Sequence, residues 1–78
     1  MQKIKLIWDF RGPVAAKTAE HHDIHLREFV VAENLSPGLT GWEEVNEVHA
    51  IAYLVVEEKD MIPMRDRLRP NRGEWVAA

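Results

Sequence analysis

The sequence predicts an α+β domain with the element order β-α-β-β-α-β: an antiparallel-edged four-stranded sheet with two helices on one face. Three observations predict it. Apolar residues alternate over Lys3 to Phe10, they recur at helical spacing from Pro13 to Glu33, and a stretch ending at Val56 is apolar on both faces of a strand.

In the first segment Ile4, Leu6, Trp8 and Phe10 point one way while Lys3, Lys5 and Asp9 point the other, with Ile7 the apolar exception. Arg11 and Gly12 turn the chain into a helix opened by Pro13, whose missing N–H costs nothing at the first helical position. At 100° per residue, Ala15, Ala19, His22, Leu26, Phe29 and Val30 form its core stripe, and the two alanines permit close approach to the sheet. Ile24, Val31 and Leu35 fall nearly opposite, as scattered exposed apolar groups or as a partner surface. The breaker cluster Ser36-Pro37-Gly38 ends this element. Gly41 to Val45 reads as the second strand, Asn46-Glu47 as a tight connection and Val48 to Val56 as the third strand. Val48, Ala50, Ala52, Leu54 and Val56 alternate there with His49, Ile51, Tyr53 and Val55, so the strand is expected to be central and covered twice. Helices of the same chain cover one face; the other needs a second subunit, a ligand or a further segment. Asp60 caps a shorter helix through Leu68, and Glu74 to Ala78 supplies a last strand with Trp75 and Ala77 on one side.

Composition narrows the function. At 78 residues a single core yields little stability, so homodimerisation is the first expectation. A net charge of -3 argues against a nucleic-acid partner. The absence of a long apolar run argues against a membrane, and no secretory leader is visible at the N-terminus, so a cytoplasmic location is expected. With no cysteine, thiol catalysis and Cys-ligated metals are excluded, and the isolated glycines form no phosphate loop, so no cofactor is expected.

The element order matches the split β-α-β arrangement of ferredoxin-like proteins. With the short chain and the doubly apolar third strand, it resembles the dimeric α/β-barrel proteins, which pack two such sheets face to face. The pair His25-Leu26 gives a loose likeness to the YCII-related proteins. The resemblance implies a homodimer, with monooxygenation, isomerisation and small haem chemistry among the activities of such proteins.

Four histidines invite a chemical reading. His21 and His25 lie one turn apart with Glu28 following, a stripe able to hold a divalent metal or simply to face solvent. His22, at the edge of the core stripe, is expected as a buried imidazole hydrogen-bonded to the backbone or to Thr18, and is also a candidate base. His49 is the other candidate base. With strands one and three expected to run parallel, Asp9 and His49 fall at opposite ends, and no intrachain pair between them is expected. Ile7, His49, Ile51, Tyr53 and Val55 line the open sheet face, which suits a dimer seam or a small-molecule pocket. Arg65, Arg67, Arg69 and Arg72 crowd the end of the second helix; pairing with Glu43, Glu44, Glu47, Glu57 and Glu58 accounts for them, and the sharper alternative is an anion site formed by Arg69 and Arg72 beside Asn71. A small enzyme acting on a hydrophobic acid, with Arg69 as anion clamp, is the catalytic version of the same idea.

Overall fold

The computed structural model describes residues 2–76. The predicted elements form in the predicted order: β1 Lys3–Arg11, α1 Ala15–Glu33, β2 Pro37–Asn46, β3 His49–Glu57, a 3-10 turn Glu58–Asp60, α2 Met61–Leu68 and β4 Arg72–Val76. They build one open sheet of four strands, ordered β2-β3-β1-β4. The expected place of Ala77 beside Trp75 lies outside the described residues. No helix among them is long and apolar enough to cross a membrane.

Two expectations about the strands require correction. β1 and β3 are neighbours in the middle of the sheet, but they pair antiparallel, from Lys3 opposite Glu57 to Arg11 opposite His49. The reason is directional: the β2–β3 hairpin reverses the chain, and the reversed strand is the one that inserts next to β1. The second correction concerns Pro37-Gly38, which opens β2 rather than separating it from α1. A proline is tolerated there because β2 is an edge strand and Pro37 is its first residue, where no ladder donor need be lost.

On one face Ile4, Leu6 and Trp8 of β1 and Ala52, Leu54 and Val56 of β3 form a single core with Leu26 of α1 and Met64 of α2. Both helices therefore cover this face. Ala15 and Ala19 pack on Ala50 in a second cluster, the close approach that small residues allow. The end of α2 is tied to the sheet by the Trp8 indole, whose Nε1–H donates to the Leu68 carbonyl at 3.1 Å. Leu35 joins the core rim, whereas Ile24 and Val31 face solvent.

The helix-free face carries the alternate residues of the same strands. Ile7, Ile51 and Val55 stand outside both core clusters yet are only 1%, 6% and 7% exposed. A second subunit, a ligand or a further segment is the expected cover for this face, and within the single chain these residues are already surrounded by its own long side chains. In the ladder Ile7 lies between Tyr53 and Arg72, with Lys5 and Asp9 on either side along β1. The Lys5 ammonium sits 4.3 Å from the centre of the Tyr53 ring, bringing that long side chain toward the strand neighbours of Ile7. Tyr53 lies flat across β2 because Gly41 opposite it has no side chain: a Cβ there would collide with the tyrosine hydroxyl.

Candidate functional site

The antiparallel pairing of β1 and β3 puts Asp9 one diagonal step from His49. Their side chains meet, with His49 Nε2 2.8 Å from Asp9 Oδ1 and both largely shielded, at 13% and 19% exposure. The pair excluded on the parallel expectation is thus formed. Arg72 completes it from β4, donating from Nε to Asp9 Oδ2 at 3.1 Å and from its Nη2 to Oδ1 at 3.3 Å, while Nη1 donates to Glu74 at 3.0 Å. Asn71 fixes the strand beneath: its Oδ1 accepts the Asp9 backbone N–H at 2.7 Å, and its own N–H donates to the Ile7 carbonyl at 2.9 Å.

The electrostatics follow from this geometry. The Arg72 guanidinium, gripping both oxygens, holds the Asp9 carboxyl below the ordinary carboxylate range; His49 acts in the same direction and burial opposes both. Asp9 in turn holds Arg72 above its ordinary value. An ionised carboxylate can only accept, so Nε2 of His49 must carry the proton in their hydrogen bond. That leaves Nδ1 of neutral His49 as the nitrogen that can accept a hydrogen bond or a proton. Chemically, the array is an imidazole held in one tautomer and one orientation by a carboxylate that is itself clamped.

The other candidates are dispersed. His22 lies on the helix-covered side, its ring 4.8 Å from that of Trp8 and 5.5 Å from that of Phe10, so it shares no site with His49. The hydrogen bond expected for it is not made: Thr18 Oγ1 donates to the Val14 carbonyl, and His22 Nε2 is buried with no partner among the described residues. Burial holds the His22 imidazole below its ordinary pKa, the nearby His25 adding to the effect and Asp23 opposing it. His25 and Glu28 approach to 3.4 Å, both more than 70% exposed, at 77% and 72%, and His21 is exposed as well. Among the described residues no three His, Cys, Asp or Glu side chains come together as a metal site.

The arginines find partners other than the glutamates expected for them. Arg67 pairs with Glu33 at 2.7 Å and lies over the Phe29 ring, Arg65 approaches Asp66, and Arg72 is engaged by Asp9 and Glu74. Arg69 takes the left-handed position that ends α2, its N–H donating to the Arg65 carbonyl. Of the two arginines suggested as an anion site, Arg72 has its fork occupied by the chain's own carboxylates.

Asp23 escaped the sequence reading. It is 6% exposed on the core stripe of α1, its Oδ2 3.3 Å from Arg27 and its Oδ1 buried without a partner among the described residues. Its position four residues after Ala19 and three before Leu26 was the available signal. No protein-family model, curated protein or solved structure matches the chain, so the significance of the Asp9–His49–Arg72 array rests on its own geometry.

Proposed function

We propose that this chain is a ferredoxin-like ligand-binding module whose working surface is the helix-free sheet face, at the end where Asp9, His49 and Arg72 converge. The strand order β2-β3-β1-β4 and the joint packing of α1 and α2 residues against one face support the fold assignment. The observation that carries the function is the 2.8 Å bond between His49 and a carboxylate clamped by Arg72. Such an array costs conformational entropy and uses four side chains to orient one imidazole, more than solubility requires. The ligand that fits is a small molecule with an O–H or N–H to donate to His49 Nδ1 and a ring to lie along Tyr53. Arg11, across the ladder from His49, adds a cation for an acidic substituent.

Titration of labelled protein with small phenols and aromatic acids tests this reading. Saturable shifts at His49, Ile51 and Tyr53 that vanish in His49→Ala are expected. Shifts that survive that substitution, or that bypass these residues, would refute it.

A second reading, homodimerisation through the same face, draws on Leu39 and Val76, which flank the sealed floor at 60% and 38% exposure. It predicts a doubled mass by light scattering at high micromolar concentration, returning to the single-chain value in Tyr53→Glu.

A further inference from the structure

We propose a second binding site, in the cleft between α2 and β4, for a small apolar carboxylate. The cleft lies on the helix-covered side of β1, across the sheet from the Asp9–His49–Arg72 array, and does not depend on the role given to that array. Its volume is about 350 Å³, at the low end of the range of ligand cavities and suited to a single ring or a short branched chain. Ile4, Leu6 and Met61 supply its apolar part and Arg65 and Asn71 its polar part, and Trp75 forms one wall while leaving 56% of its surface in solvent. A large indole exposed beside a hollow floored by aliphatic side chains is an incomplete packing arrangement that a ligand ring would finish.

The hollow exists because of Gly73. It pairs with Leu6, so a side chain there would enter the cleft, and a Cβ would already stand 3.0 Å from Ile4 Cδ1. Charge then selects the ligand. Arg72 also borders the cleft, but its guanidinium is occupied by Asp9 and Glu74. Arg65 is not so engaged: its ion-pair contact is to Asp66 at 3.5 Å, well beyond the roughly 2.8 Å of a charge-assisted hydrogen bond, with both side chains mostly in water. A planar fork lining a cleft of part-polar, part-apolar surface matches a carboxylate on a hydrophobic body.

Phenylacetate and its uncharged amide serve as probes, followed through the Gly73 amide and the Trp75 indole N–H. Phenylacetate is expected to shift both signals saturably, and the amide to bind about tenfold more weakly, the equivalent of one charge-assisted hydrogen bond. Arg65→Gln should bring the acid down to the amide's level, Gly73→Val should abolish binding of both probes, and Arg69→Gln should change neither. Equal affinity for acid and amide, binding untouched by Arg65→Gln, or the absence of any shift at Gly73 and Trp75 with millimolar phenylacetate would overturn the proposal. Shifts confined to His49 and Tyr53 would overturn it too, while leaving the open-face site standing.

Discussion

The two faces of the sheet solve the same burial problem by different means. On one, Leu54 is sealed by side chains from two helices; on the other, Ile7 reaches 1% exposure beneath Tyr53, Lys5, Asp9 and Arg72, with no helix above it. A second layer of secondary structure is thus not the only way to dry a strand. Long amphipathic side chains suffice when a glycine such as Gly41 lets an aromatic ring lie flat. The two coverings also differ in chemistry: helices present apolar side chains to Leu54, whereas charged and aromatic groups surround Ile7.

Paired truncations put the largest strain on this comparison. Leu54→Ala and Ile7→Ala should each cost about 2–5 kcal/mol in denaturant unfolding, since both remove a wholly buried aliphatic group. A cost for Ile7→Ala below about 1 kcal/mol would mean that the helix-free face is wet and the comparison false. Gly41→Ala comes next, at about 1–3 kcal/mol, because the added methyl displaces Tyr53 and uncovers the floor.

Smaller effects separate the two histidine environments. Burial depresses the folded-state pKa of His22, so the unfolded chain binds the proton first. The resulting stability is complete above the ordinary value of 6.5 and declines as the pH falls from there through the lower folded value. His22→Leu should flatten that decline and, by removing a buried nitrogen without a partner, leave stability at neutral pH unchanged or slightly raised. Asp9, whose folded value is also lowered, contributes stability above its ordinary 3.8 that is lost at still lower pH, and because its partner Arg72 is 45% exposed, solvent screening keeps this second step small. Arg67→Ala, which breaks a half-exposed pair with Glu33, should cost at most about 1 kcal/mol.

Much of the fold was legible because its signals are local. The alternation in β1, the alanine stripe of α1 and the turn at Asn46, whose Oδ1 accepts the Val48 N–H, each lie within a few residues of sequence. The site was not legible, because it depends on the relative direction of two strands separated by a helix and a hairpin. Reading β1 and β3 as parallel moved Asp9 and His49 to opposite ends, although both residues had been recognised as a possible base and its carboxylate. The grip of Arg72 on Asp9 spans 63 residues and has no periodic signature. Asp23 was missed for a different reason: a carboxylate on an apolar stripe is discounted by composition even when its spacing places it inside.

The ring-nitrogen spectrum of His49 in its neutral form tests the central claim most directly. If Asp9 holds the imidazole as described, His49 is a single Nε2–H tautomer whose ring proton exchanges slowly with water, and Asp9→Asn releases it to the mixed, rapidly exchanging state of the exposed His21. A wild-type His49 already indistinguishable from His21 would contradict the account.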